Sequence, residues 1–261
     1  MLDRLQACQE KGRTMIKAVI FDLDGTLVQT EKLKARSYAR AAVELCPNEL
    51  SEQEVVGAFK DVVGLSRREV ATKLVERFGL EQRARERMDD FGVGKPWQSY
   101  VQLRLAIYND MLADPETILN NRWERAIALL ERVRARGCKT GLATMSHCEQ
   151  TRRVLNILGL NDAFGFVATR DDVDNAKPDP EIYHLVMKEL GERPETSLVI
   201  EDSPAGVEAA LSAGTTVIAV STPFTRERLH ALDRLPKNRI VDERDELMKV
   251  VEQLFDDLED A

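Results

Sequence analysis

No stretch of the sequence is apolar for long enough to cross a bilayer. Nor is there an excess of positive charge: the net charge is −8. An acidic surface repels phosphate backbones and anionic lipids, so neither nucleic acid nor a membrane is an expected partner. The four cysteines, Cys8, Cys46, Cys138 and Cys148, include no CxxC pair. Their spacing argues against a zinc site or a disulfide framework and favours reduced thiols in a cytoplasmic protein. Residues 1–14 carry Asp3, Arg4, Glu10, Lys11 and Arg13, which leaves no signal-peptide core. They read as an N-terminal extension, either an added helix or a segment preceding a start at Met15.

What is there suits a folded enzyme. Apolar residues make up 43% and charged residues 31% of 261 positions, enough for one large domain or two modest ones. Five apolar runs stand out: 18–21, 141–143, 164–168, 198–200 and 217–220. None alternates with polar residues, so each is expected to be a strand buried on both faces of a parallel sheet. Helical patterns alternate with the later runs: Arg122 to Arg136, then Asp179-Pro180 to Gly191, then Ser203-Pro204 to Gly214. This alternation predicts an α/β fold with a doubly wound parallel sheet. Residues from about 31 to 112 show helical periodicity without a convincing strand and read as an insertion of four or five helices. The charged stretch Glu81–Asp90 reads as a solvated helix face. The expected division is a core of 1–29 and 116–261, with residues 30–115 as an inserted all-helical cap.

Three of the runs end in polar residues. Phe21 precedes Asp22-Leu23-Asp24-Gly25-Thr26, Ala143 precedes Thr144, and Ile200 precedes Glu201-Asp202. Ligands bind beyond the carboxyl ends of strands in open parallel sheets, so these residues are expected to meet in one crevice. The two-residue spacing of Asp22 and Asp24 lets both carboxylates point one way. Asp22, Asp24, Glu201 and Asp202 together would repel unless a cation joins them. An all-oxygen set favours a hard ion, Mg²⁺ first. Lys177 offers a further positive charge. Individually, each acid also fits a helix cap or a solvated strand end.

These residues resemble the motifs of the haloacid dehalogenase superfamily, in the branch of beta-phosphoglucomutase and phosphoglycolate-type phosphatases. Asp22-Leu23-Asp24-Gly25-Thr26-Leu27, Thr144, Lys177-Pro178 and Glu201-Asp202-Ser203-Pro204-Ala205-Gly206 follow the family's order. The resemblance implies a Rossmann-like core with a helical cap. It implies that Asp22 attacks phosphorus and that Asp24 serves as acid and base. Thr144 and Lys177 would bind the phosphoryl oxygens; Asp22, the Asp24 carbonyl, Asp202 and Glu201 would hold Mg²⁺. The implied activity is a phosphatase acting on a small phosphorylated metabolite, a phosphoric monoester hydrolase, as a monomer or small homo-oligomer. A phosphomutase is the alternative, and a non-catalytic interaction protein a third reading. The pattern departs from the branch on the substrate side. Gln29 replaces an aspartate, Lys34 a histidine, Val63 a lysine, Met145 a small or polar residue, and His147-Cys148 a lysine-asparagine pair. Gly64-Leu65-Ser66-Arg67 resembles a loop in which an arginine holds a distal phosphate. Ser66, Arg67, Lys34 and His147 are therefore the substrate-side candidates, although Ser66 also fits an ordinary N-cap.

Overall fold

The computed structural model describes residues 15–63 and 65–260. The N-terminal extension and Gly64 lie outside the described residues. The elements run β1 (Ala18–Phe21), α1 (Thr30–Leu45), α2 (Glu52–Phe59), α3 (Arg67–Arg77), α4 (Glu81–Glu86), α5 (Met88–Phe91), α6 (Pro96–Ala113) and α7 (Pro115–Leu119). They continue with α8 (Glu124–Ala135), β2 (Lys139–Ala143), α9 (Cys148–Leu158), β3 (Phe166–Ala168), α10 (Glu181–Leu190), β4 (Ser197–Glu201) and α11 (Pro204–Ser212). The chain closes with β5 (Thr216–Val220), α12 (Arg226–His230), β6 (Ile240–Val241) and α13 (Leu247–Asp260).

The six strands form one parallel sheet in the order β3-β2-β1-β4-β5-β6. The doubly wound α/β fold is as expected. Both sheet faces are covered, which is why the strands read as continuous apolar runs. Val19 and Phe21 pack with Leu129, Leu130 and Val133 of α8 and with Val251 and Phe255 of α13. Ala18 and Ile20 face the opposite way, against Ile182, Tyr183 and Val186 of α10 and Val207 and Ala210 of α11. From β1 the chain winds outward through β2 and β3, then crosses to β4 on the other side. The switch point therefore falls at the end of β1, where Asp22 stands.

Three strands differ from the sequence expectation by two residues or more; β3 opens at Phe166 rather than Phe164. β2 begins earlier, at Lys139, whose backbone N–H donates to Lys17 O at 2.8 Å. β6 was not anticipated, since two residues give no periodicity. Helix α8 begins at Glu124 rather than Arg122. Trp123 N–H donates to Leu27 O at 2.8 Å, and Arg122 bridges Val28. Those residues are held as extended chain beside the β1 loop.

Helices α1 to α6 make a hydrophobic cluster of their own, centred on Tyr38, Phe59, Leu74, Leu80 and Tyr100. Six helices stand where four or five were expected, because the charged stretch after Leu80 breaks at Arg87 into α4 and α5. Ser51 and Ser66 open α2 and α3 through reciprocal capping boxes with Glu54 and Glu69. No helix of the described residues is long and apolar enough to cross a membrane.

Leu129 is fully buried between α8 and the sheet. Leu129→Ala is expected to lower unfolding stability by about 2–5 kcal/mol, read from the midpoint shift in chemical denaturation.

Candidate active site

The Lys177 ammonium connects three strand ends. It donates to Asp22 Oδ1 at 2.8 Å after β1, to Ala143 O at 2.9 Å on β2, and to Glu201 Oε1 at 2.6 Å on β4. Its side chain is 5% exposed, and the Tyr183 ring lies 5.0 Å from the nitrogen. Tyr183 OH donates to the same Glu201 oxygen at 2.9 Å. The other Glu201 oxygen accepts from the N–H of Asp202 and Ser203 and from Ser203 Oγ, at 2.9 to 3.1 Å. Burial pushes the Glu201 carboxyl upward, but Lys177 and these donors outweigh it and hold it below the usual range.

Asp22 and Asp202 are less well compensated. Burial drives the Asp22 carboxyl up to about 7, with Lys177 pulling against it and Glu201 and Asp24 adding to the rise. Asp202 is 1% exposed and rises well above its ordinary value through burial, then Glu31, Glu201 and Asp22. Its Oδ2 has no hydrogen-bond partner. Asp22, Glu201 and Asp202 each bring one carboxylate oxygen within 4.8 Å of the others. Gly25 makes this approach feasible. It sits at φ +94°, and a Cβ there would lie 2.0 Å from Asp202 Oδ2.

The Asp24 carboxylate does not join that cluster, contrary to the expectation of four converging acids. β1 ends at Phe21, so strand alternation does not carry through the loop. Instead Asp24 accepts from the hydroxyls of Thr30 and Ser146, from Thr144 Oγ1 at 3.4 Å, and pairs with Lys34 Nζ at 3.0 Å. Burial raises its carboxyl, yet Lys34 and the hydroxyl donors bring it below the usual range. Thr144 and Lys34 are thus gathered around Asp24. His147, at the N-cap position of α9, is half-exposed, with Nδ1 2.6 Å from Asp171 Oδ1; Asp171 Oδ2 accepts from the first helical N–H, that of Cys148, at 2.8 Å. Ser66 is taken up by its capping box, and Arg67 is exposed beside it.

Thr30 and Glu31 belong to the Gln29-Thr30-Glu31 run, which resembles the Asp-Thr-Glu that follows the first motif in the branch, but the sequence assigns them no role; Ser146 and Arg244 carry no sequence signal. Glu31 is buried, and its carboxylate accepts from Thr222 Oγ1 at 2.8 Å. Arg244, 218 positions after Thr26, donates to Gly25 O at 2.7 Å and Thr26 O at 3.2 Å. Its guanidinium lies 4.1 Å from the Trp123 ring centroid. Burial brings Arg244 down to about 10, although Asp202 and Glu31 oppose the shift.

The family model for haloacid dehalogenase-like hydrolases matches residues 16–214. The chain belongs to this family. A phosphoglycolate phosphatase of Rhodospirillum rubrum is 31% identical over 223 residues, covering 85% of this chain and 86% of that protein. A phosphorylated carbohydrates phosphatase of Thermotoga maritima is 30% identical over 199 residues, covering 76% and 82%. Among solved structures, a haloacid dehalogenase family hydrolase of Deinococcus radiodurans, with bound phosphate and sodium, superposes with a TM-score of 0.69. It is 22% identical, with 92% of this chain and 96% of that one covered. A beta-phosphoglucomutase of Clostridium difficile gives 0.66 at 23% identity, with 93% and 98% covered. The two structures share the fold. The relatives' names point to the expected class, a phosphoric monoester hydrolase.

The raised carboxyls set a pH dependence. Asp22 and Asp202 ionise near 3.8 when unfolded; folded, Asp22 keeps its proton to about 7, and Asp202 is raised in the same direction by burial and the neighbouring carboxylates. The folded chain therefore binds more protons between those values, and stability falls as pH rises through that window. In EDTA the melting temperature is expected to decline from about pH 4 to about pH 7, with divalent metal flattening the decline. Differential scanning calorimetry across that range tests it.

Proposed function

We propose that this chain is a magnesium-dependent phosphatase of small phosphorylated metabolites, working through an aspartyl phosphate on Asp22. The observation that carries the reading is the pairing of Asp22, held by buried Lys177, with an unpartnered oxygen of buried Asp202. Three buried carboxylates with one such oxygen fit a hard divalent cation. Asp22 and Asp202 would hold it, with the Asp24 carbonyl and Glu201 as the resemblance implies. Both Glu201 oxygens already accept from other groups, which makes Glu201 chiefly an anchor for Lys177. When bound, magnesium supplies positive charge to the acid cluster and to the phosphoryl oxygens.

The chain's own residues divide the remaining work. An Asp22 oxygen forms a bond to phosphorus as the bond to the leaving oxygen breaks. Asp24 protonates that oxygen, then takes a proton from the water that splits the aspartyl phosphate. Lys177 and Thr144 face the phosphoryl oxygens, where charge must be stabilised without reorganisation. Lys34 holds Asp24 ionised, which suits the water step; protonating Asp24 for the first step requires that pair to loosen. The helical insertion is the proposed cap, and it carries Lys34 on α1. The reduced thiols Cys46, Cys138 and Cys148 fit the cytoplasmic setting.

Asp22→Asn is expected to abolish phosphate release from a panel of sugar phosphates, phosphoglycolate and nucleoside monophosphates while leaving the circular dichroism spectrum intact. Turnover near the wild-type rate would remove the nucleophile assignment. Formation of glucose 6-phosphate from glucose 1-phosphate, in preference to free phosphate, would favour the mutase instead. EDTA is expected to stop turnover and Mg²⁺ to restore it. In weak buffer at pH 6, Mg²⁺ addition is expected to release protons from Asp22 and Asp202, by titrimetry.

A further inference from the structure

The loop after β1 closes on itself and leaves three successive carbonyls to be met from outside. Within it, Leu27 and Val28 N–H donate to Leu23 O at 3.0 and 3.2 Å, and Gly25 N–H donates to Val28 O at 2.7 Å. Gly25, Thr26 and Leu27 are buried, so their carbonyls need donors. Arg244 meets two of them, donating from Nη2 to Gly25 O at 2.7 Å and from Nη1 to Thr26 O at 3.2 Å. The Trp123 N–H meets the third, donating to Leu27 O at 2.8 Å. The two clamping residues also stack on each other: the Arg244 guanidinium carbon lies 4.1 Å from the Trp123 ring centroid.

An aliphatic side chain would fill the space over Trp123 at less cost. Arg244 forms no ion pair among the described residues, and its Nε is buried without an acceptor. A cation withdrawn from water without a carboxylate contributes little to stability. What a guanidinium brings, and no other side chain does, is a rigid planar fork that holds two acceptors in fixed directions.

The fork acts where the loop has least stiffness of its own. Gly25 sits at φ +94°, and a Cβ there would meet Asp202 Oδ2 at 2.0 Å, so no side chain can restrict this joint. Because peptide units are planar, holding the carbonyls of Gly25 and Thr26 fixes the planes on both sides of Thr26. Asp24 directly precedes this joint, and Asp22 lies two residues earlier. Their carboxylates face different partners, Lys34 for Asp24 and Lys177 for Asp22.

We propose that Arg244, backed by Trp123, is a positioning residue for phosphoryl transfer: it holds the turn that aims Asp22 and Asp24 in their separate directions, and it acts through that turn rather than on the substrate. Arg244 lies beyond residues 16–214 matched by the family model, so the arginine of this clamp comes from outside the matched region. The inference deepens the phosphatase reading and rests on it.

The test uses Arg244→Ala and Arg244→Lys, with p-nitrophenyl phosphate as substrate and saturating Mg²⁺. In Arg244→Ala, kcat per folded molecule is expected to fall by about 10- to 100-fold, as a small misplacement of reacting groups costs, with KM nearly unchanged. Arg244→Lys, which keeps a donor but not the fork, is expected to recover part of the loss. Guanidinium chloride at tens of millimolar, far below denaturing concentrations, is expected to raise kcat of Arg244→Ala several-fold; tetramethylammonium chloride is expected to leave it unchanged, and neither salt to raise the wild type. Hydrogen exchange gives a readout without turnover: the amides of Leu27 and Val28 are expected to exchange faster in Arg244→Ala, with those of β5 unchanged. A loss of kcat that neither guanidinium nor lysine restores, with faster exchange throughout the sheet, makes Arg244 merely structural and overturns the proposal. If wild-type protein hydrolyses neither p-nitrophenyl phosphate nor any other phosphomonoester, but loop exchange depends on Arg244, the phosphatase reading fails and the clamp stands. If hydrolysis occurs and kcat is insensitive to Arg244, the positioning role alone fails.

Discussion

The site depends on one buried ammonium. Lys177 ties the ends of β1, β2 and β4 together through Asp22, Ala143 O and Glu201. A charge placed there costs several kcal/mol in desolvation unless its partners are well aligned. Glu201 supplies the alignment. It accepts from Lys177 and Tyr183 on one oxygen and from Asp202 N–H, Ser203 N–H and Ser203 Oγ on the other. Gly206, where a Cβ would fall 1.8 Å from that carboxylate, allows helix α11 to pack this closely. The first turn of α11 and the end of β4 thus act together to fix Lys177.

One lysine does not balance the acids around it. Asp22, Glu201, Asp202 and Glu31 lie near Lys177 and Arg244, and the deficit appears as raised carboxyls on Asp22, Asp202 and Glu31. On the other side of the loop, Asp24 sits among a lysine and three hydroxyls and stays ionised. Two aspartates two residues apart are therefore pushed in opposite directions. That separation is how one short loop can offer a nucleophile and an acid–base group with different protonation behaviour. Gly25 and the Arg244 contacts to the carbonyls of Gly25 and Thr26 hold the turn that keeps the two carboxylates apart.

Much of the fold was legible because its strands are buried on both faces, so that apolar runs mark them directly. The end of each run then named Asp22, Thr144 and Asp202. What failed to show has physical reasons. Lys139 and Thr140 are polar by type, yet both lie in β2, where Thr140 Oγ1 donates to Ala163 O at 2.7 Å. β6 is too short to have a period. Alternation placed the Asp24 carboxylate with the other acids, but Asp24 lies beyond the last strand residue, where loop contacts and not the pleat set direction. Arg104 and Arg244 look like surface arginines in sequence. Their burial comes from Tyr38, Tyr108 and Trp123, which are remote in sequence except for Tyr108, one helical turn from Arg104.

The positive charges of the site come from two sources. Lys177 and Arg244 belong to the sheet side and are fixed by backbone carbonyls and carboxylates. Lys34 belongs to the helical insertion. Segment 222–228 ties the two parts: Thr222 binds Glu31, the Phe224 ring meets Phe59 edge-on at 6.1 Å, and Arg228 donates to Val63 O. Any displacement of the insertion changes the charge facing Asp24 while leaving Lys177 on Asp22 undisturbed. In the proposed mechanism, the Lys177 contact to Asp22 thus comes from the core, and the Lys34 contact to Asp24 comes from the insertion. In the proposed mechanism, a substrate that draws Lys34 onto itself would loosen it from Asp24 at the moment Asp24 has to carry a proton, and the same lysine would then couple binding to acid catalysis.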